Sequence, residues 1–182
     1  MQRSTPPFRA DHVGSLLRSA PLLEARARRE RGEIGAAELK AIEDAEIVKL
    51  VRKQEEIGLS SVTDGEYRRA WWHFDFLGQL GGVELVDVEH GIQFSGVQTK
   101  AQAPRVVGKI RYEPHPFVEH FKFLKATTTK TATMTIPSPS MLHYRGGRKM
   151  INMGVYPTMD AFYADLSAAY AGAVGAFADA GC

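Results

Sequence analysis

The residues best suited to chemistry gather in Ser60-Ser-Val-Thr-Asp-Gly-Glu-Tyr-Arg-Arg69. A short apolar run stops there on a turn-forming cluster that holds Asp64, Gly65, Glu66, Arg68 and Arg69. A carboxylate at the end of a strand in a strand–helix repeat is a common way to build a substrate site. Glu66 is therefore expected to face a small polar substrate. A second polar turn lies upstream in Phe8-Arg-Ala-Asp-His-Val-Gly-Ser-Leu-Leu-Arg18. Gly14 permits unusual backbone angles and close approach of a ligand, although an ordinary strand-end turn has the same composition. Arg68 and Arg69 read as exposed surface charges or, alternatively, as contacts to an anionic substrate group. Trp71, Phe74 and Leu77 share a helical face and serve either core packing or an aromatic wall beside Glu66. His115 and His120 are five apart, which is wrong for one helical face, and they are not assigned as metal ligands.

These residues need a scaffold. Phe8 to Val13 is expected to form a first short strand, with Gly14-Ser15 as its turn. Ser19 can cap a helix with Pro21 in its first turn, running through Glu30 and ending near Gly32. The arginines of that helix, Arg26, Arg28, Arg29 and Arg31, alternate with Glu24, Glu30 and Glu33, the pattern of a solvated face. Ala36 to Ile57 carries the strongest helical pattern. Leu39, Ile42, Ala45, Val48 and Val51 recur near 3.6 residues, with Lys40, Glu43, Glu46 and Lys53 elsewhere. Gly58 stops it, and Leu59 to Thr63 follows as a second strand, an order typical of parallel α/β units. Val83–Val88 and Ile92–Ser95 alternate about His90-Gly91 as in a hairpin, and Val97 to Tyr112 adds an extended piece. The stretch 83–112 is thus a strand-rich insertion, too small for an independent core. Pro114 to Leu124 is expected to be helical, Thr127 to Ile136 a third strand, Tyr144 to Gly154 a basic loop, and Asp160 to Ala180 a helix. That last helix carries Phe162, Leu166, Ala169, Ala173 and Phe177 along one side.

Composition narrows the function classes. The 182 residues are 44% hydrophobic and 24% charged, which is ordinary for a globular domain with a real core. A formal net charge of +2 is too small to point to nucleic acid or an anionic membrane. No apolar run of about 18 residues exists, so no membrane span is expected. Met1-Gln-Arg-Ser-Thr-Pro-Pro7 lacks a basic-then-apolar signal pattern. A single cysteine, Cys182, cannot make an internal disulfide and suits a reducing cytoplasm.

The Phe8–Arg18 motif, followed by Gln54-Glu-Glu-Ile-Gly-Leu-Ser-Ser-Val-Thr-Asp-Gly-Glu-Tyr-Arg-Arg69, resembles the cobalamin-independent methionine synthase family. The closer likeness is to its short bacterial relatives that carry only the catalytic barrel. Thr135-Ile-Pro-Ser-Pro-Ser-Met141 and the helix ending Asp179-Ala-Gly-Cys182 extend the resemblance over nearly the whole chain. The resemblance implies a (β/α)8 TIM barrel, of which residues 1–182 form the N-terminal half as a single domain. It implies transfer of a methyl group from a methylated folate to the sulfur of homocysteine, with zinc holding that sulfur. It places the substrate-binding turn on Val13, Gly14 and Ser15 and the substrate-binding glutamate on Glu66.

The residue types suit that chemistry. N–H groups and a hydroxyl in a turn suit a carboxylate, and a glutamate suits an ammonium group. A thiol of pKa about 8.5 is mostly protonated at neutral pH, and zinc makes the thiolate available. The family's zinc ligands, a His-x-Cys pair, a glutamate and a second cysteine, have no counterparts here, so no metal residue is assigned. Two alternatives stay open. One is the epoxide–coenzyme M branch, in which Arg68 or Arg69 would meet a sulfonate. The other is a non-catalytic assembly module that forms a homodimer, or another association, through an open barrel edge.

Overall fold

The structure is a computed structural model and describes residues 4–89 and 101–182. In chain order the elements are α1 (Ala20–Glu30), α2 (Ala36–Glu56), β1 (Ser61–Val62), α3 (Phe74–Leu77), β2 (Gly81–Asp87), β3 (Gln102–Arg111), α4 (Pro116–Thr127), β4 (Thr131–Ala132), α5 (Met141–Tyr144) and α6 (Met159–Asp179). They form a mixed α/β fold whose contacts divide into two compact units. One comprises the described part of Met1–Ala70 with Glu119–Thr135 and Cys182; the other comprises the described part of Trp71–Val118 with Ile136–Gly181.

In the first unit, α1 starts at Ser19 in extended conformation with proline in its first turn, as predicted, although the serine hydroxyl makes no capping bond. Its core cluster joins Leu22, Ile47, Val51, Val62, Tyr67 and Leu124. β1 and β4 pair in parallel, Ser61 with Thr131 and Val62 with Ala132. Antiparallel hairpins need only a tight turn, whereas this parallel pair is separated by a long crossover, the mark of an α/β unit.

Three expectations are corrected here. Phe8 to Val13 is not a strand: Phe8 N–H donates to Asp11 Oδ2 at 3.0 Å, and His12 Nε2 lies 2.9 Å from the Gly14 carbonyl. Local side-chain bonds thus compete with sheet pairing. The strand expected over Thr127 to Ile136 shrinks to Thr131–Ala132, because Thr127 closes α4 and donates its hydroxyl to the Phe123 carbonyl at 2.8 Å. The buried face of α2 is also rotated from the apolar stripe. It carries Glu43, Glu46, Ile47, Val51 and Gln54, while Val48 is exposed. Glu43 accepts from Arg68 at 3.3 Å and lies 3.8 Å from Arg26, so paired charge occupies a face that periodicity assigned to solvent.

The second unit is built on a ribbon. β2 and β3 pair antiparallel from Val83–Val106 to Asp87–Gln102, with an irregularity between Gly81 and Val83. Gly82 sits there at φ +79°, and a Cβ would lie 2.4 Å from the Lys109 carbonyl oxygen, so only glycine fits. The expected hairpin partner Ile92–Ser95 lies outside the described residues; the partner seen is β3, within the predicted extended piece. Val106 also bridges Ile151 in parallel. The buried face of α6 includes Phe162, Leu166, Ala169, Ala173 and Phe177, as its periodicity predicts. Thr158 caps this helix by accepting from Ala161 N–H. His115 is a core residue, stacked on Phe76 at 4.5 Å with Nε2 3.1 Å from the Phe76 carbonyl. Among the described residues no helix is long and apolar enough to cross a membrane.

Gln54 sets the position of the turn after β1. Its carboxamide accepts from Thr63 N–H at 3.0 Å and donates to the Thr63 carbonyl at 2.8 Å, all within the interior. Gln54→Ala orphans both backbone groups and is expected to cost about 2–6 kcal/mol, at one to three per buried group. Urea unfolding measures it, and a loss below about 0.5 kcal/mol counts against the assignment.

Candidate functional site

The strand β1 delivers a four-residue turn, Asp64 to Tyr67, that folds back on itself. Gly65 has φ +63°, and Glu66, at φ +57°, is the single non-glycine residue with positive φ among those described. A side chain there costs on the order of 1–3 kcal/mol and persists only where the surroundings over-determine it. Here they do. Glu66 N–H donates to Asp64 Oδ1 at 2.9 Å, Gly65 N–H to Thr63 Oγ1 at 3.0 Å, and Tyr67 N–H to the Asp64 carbonyl at 3.2 Å. Burial pushes the Asp64 carboxyl up from its ordinary value, against the pull of its bond from Glu66 N–H and the nearby Arg69.

Two arginines clamp the outer side of the turn. Arg18 Nη2 donates to the carbonyls of Glu66 and Arg69 at 3.2 and 2.6 Å. Arg26 donates to the carbonyls of Arg69 and Tyr67 at 3.0 and 2.5 Å. Arg26 thus leaves the solvated face expected of α1. Arg68 and Arg69 are not surface charges either. Arg68 donates to Glu43 and Asp44, at 3.3 and 2.5 Å, and stacks over Phe123 at 5.0 Å. Arg69 is 2% exposed.

The turn carries the Glu66 carboxylate beneath the Gly14-Ser15 loop. Ser15 Oγ donates to Glu66 Oε2 at 2.5 Å, and Leu16 N–H donates to the Gly65 carbonyl at 3.1 Å. Glu66 Oε1 receives two more bonds, from Arg69 Nη1 at 3.1 Å and Thr135 Oγ1 at 2.9 Å. The structure therefore brings Ser15 and Glu66 into direct contact across fifty-one positions of sequence. Gly14 lies beside them at φ +95°, and Val13 points outward at 77% exposure. Glu66 itself is 3% exposed, while Ser15 is open to solvent. The hydroxyl forms the accessible rim and the carboxylate the floor. Such a pair can accept one further donor at Oε2, which has a single partner among the described residues.

Sequence reasoning placed Asp64 in the turn-forming cluster, and it missed Arg18 and Arg26 as clamps and Arg69 and Thr135 as partners of Glu66. Thr135 and Arg18 do stand inside the motifs that carry the resemblance, which was the available signal.

The second unit holds its own cavity of about 400 Å³, lined by His73, Pro104, Met141, Arg145, Lys149 and Met150 among others. Its wall is apolar with two cationic side chains, which suits a ligand with an apolar body and an anionic group. His73 is 1% exposed, packs against the Phe74 ring at 4.0 Å, and has no hydrogen-bond partner for either ring nitrogen among the described residues. Burial, reinforced by Arg145, lowers its pKa from 6.5 to about 4.

Among the described residues no group of three or more His, Cys, Asp or Glu side chains is arranged to hold a metal, and Cys182 is free and exposed. The described residues do not fit zinc.

Comparisons with known proteins show what the chain is similar to. Residues 8–181 match the family described as cobalamin-independent synthase, catalytic domain. The uncharacterised protein YxjG of Bacillus subtilis is 50% identical over 183 aligned positions, which span 100% of this chain and 48% of that protein. The 5-methyltetrahydropteroyltriglutamate–homocysteine methyltransferase of Thermosynechococcus vestitus is 33% identical over 76% of this chain and 18% of its own length. The crystal structure of a presumed vitamin-B12-independent methionine synthase from Listeria monocytogenes is 45% identical. It superposes with a TM-score of 0.80 over 97% of this chain and 50% of that one. The chain spans about half the length of the most similar of these relatives.

The His73 shift has a sign. With its folded pKa depressed, the neutral ring contributes stability above pH 6.5, and that contribution is lost as pH falls through about 4. His73→Phe is expected to flatten the fall in stability between those values. Urea midpoints at pH 7 and pH 5 test it, and an unchanged difference between them overturns it.

Proposed function

The chain belongs to the cobalamin-independent methionine synthase family, and from that premise we propose that its Ser15–Glu66 site holds the amino-acid end of homocysteine for methylation on sulfur. The observation that carries this reading is the 2.5 Å contact between the rim hydroxyl of Ser15 and the buried carboxylate of Glu66. An α-amino acid presents an ammonium and a carboxylate on one carbon. The Val13–Ser15 turn offers backbone N–H groups to the carboxylate, while the Ser15 hydroxyl stays donated to Glu66. Glu66 Oε2 offers an anionic acceptor to the ammonium. The ammonium adds to the one oxygen that carries a single bond, so the Oε1 contacts are kept on binding.

The parallel β1–β4 pair supports reading these strands as part of a (β/α)8 barrel, with Glu66 just past a strand end, where such barrels carry their sites. The cavity of the second unit supports an anion-bearing methyl donor. A methylated folate, with a flat apolar ring system and glutamate carboxylates, matches an apolar wall with Arg145 and Lys149. The residues of this chain bind and orient; the thiol itself has to be deprotonated before it attacks the methyl carbon, because the thiolate is the nucleophile.

Glu66→Gln keeps the shape of the side chain and removes its charge. It is expected to weaken L-homocysteine binding by about tenfold or more, the scale of one charge-assisted hydrogen bond of ~1.5–3 kcal/mol. Isothermal titration calorimetry on the intact protein measures it. Equal affinity for the native and substituted proteins removes the basis of the reading.

A further inference from the structure

We propose that Arg69, together with Thr135, is the positioning device of this site: it saturates one oxygen of Glu66 so that the other alone faces a ligand. This rests on the reading of Glu66 as the ammonium partner and adds a residue that acts through it. The guanidinium is a fork with two ends. Nη1 donates to Glu66 Oε1 at 3.1 Å, and Nη2 donates to the Thr135 carbonyl at 2.6 Å and lies 3.2 Å from Met134 Sδ. Thr135 closes the triangle, because its hydroxyl donates to the same Oε1 at 2.9 Å. Oε1 therefore has both lone-pair sites filled, and Oε2 has one, filled by Ser15.

The carboxylate could otherwise rotate about its terminal torsion, which is broad and nearly two-fold. With Oε1 held from two directions, rotation would break two buried bonds, one of them to a charged group. The backbone of Arg69 is held as firmly as its side chain. Its carbonyl accepts from Arg18 and Arg26, and its N–H donates to the Glu66 carbonyl at 3.0 Å. One residue thus ties the loop after β4 to the left-handed turn after β1. Arg69 is 2% exposed and Glu66 3%, and both ends of the fork are hydrogen-bonded, so the arrangement is in place before any ligand arrives.

The arrangement also separates charge from shape. Lysine at position 69 would keep a positive charge near Glu66 but could not reach Oε1 and the Thr135 carbonyl at once. Glutamine would lose the charge, and removing a cation beside a buried carboxylate favours its protonated form.

The test measures L-homocysteine affinity of the intact protein by calorimetry from pH 5.5 to 8.5, for the native protein, Arg69→Lys, Arg69→Gln, Thr135→Val and Glu66→Gln. Arg69→Gln is expected to lose at least tenfold at neutral pH, and its binding fades at a higher pH than in the native protein as the solution is acidified. Arg69→Lys is expected to restore the native pH profile while keeping a several-fold weaker affinity. Thr135→Val, which leaves the charge in place and retains the packing volume, is expected to weaken binding several-fold without moving the profile. It also carries the test if the Arg69 variants do not fold. Native affinity and pH profile in a folded Arg69→Gln protein, or native affinity in Thr135→Val, overturn the proposal. If those variants bind normally while Glu66→Gln is impaired, the positioning role fails and the function stands. If Glu66→Gln binds normally, the function itself fails.

Discussion

The left-handed turn at Gly65–Glu66 is the constraint on which the rest of the first unit depends. Positive φ at a glutamate is unfavourable, and it persists because five groups hold it. Asp64 takes its N–H, Arg18 takes its carbonyl, and Ser15, Thr135 and Arg69 take its carboxylate. A Cβ at Gly65 would lie 2.5 Å from Leu50 Cδ2 and force that side chain of α2 to shift, and the φ of +63° strains any other residue there. The turn therefore needs the packing of α2 beneath it as much as its own hydrogen bonds. Its consequence is to swing a carboxylate away from the direction of β1 and set it under the Ser15 rim.

Buried charge is the material of this unit. Glu43, Glu46, Asp64, Glu66 and Arg69 are all inside, and Arg68 is nearly so. Such groups are costly unless paired and hydrogen-bonded. The pairing runs as a chain from Asp44 and Glu43 through Arg68 on one side, and through Arg26 and Arg18 to the turn carbonyls on the other. Burial raises the pKa of Glu43 despite its arginine partners, so desolvation outweighs the pairing there.

The second unit solves a different problem with apolar packing. Its ribbon, the Ile151 bridge and α6 enclose aromatic side chains, and its few buried polar groups are mostly bonded. Tyr156, fully buried, donates to Asp165 at 2.8 Å and accepts from Ile110 N–H at 2.7 Å. His73 differs in having no partner for either ring nitrogen among the described residues, and it lies on the wall of the cavity.

How much of this was legible in the sequence follows from the range of the interactions. The helices α1, α2 and α6 were readable, because helix signals are local: a cap, a proline in the first turn, a 3.6-residue apolar period. The positive φ of Gly14 and the importance of the Asp64–Glu66 cluster were readable for the same reason. The buried face of α2 was not, because it is decided by Arg26 and Arg68 arriving from other elements, and no window within the helix contains them. The shortness of β1 and β4 and the absence of a strand at Phe8–Val13 were equally hidden, since strand pairing is a contest between partners distant in the chain. The sequence by itself determined that polar, turn-forming residues would gather at Gly14-Ser15 and at Asp64–Glu66. Only the tertiary structure decided that Glu66 would present one oxygen and surrender the other, because Ser15, Arg69 and Thr135 converge on it from three separate segments.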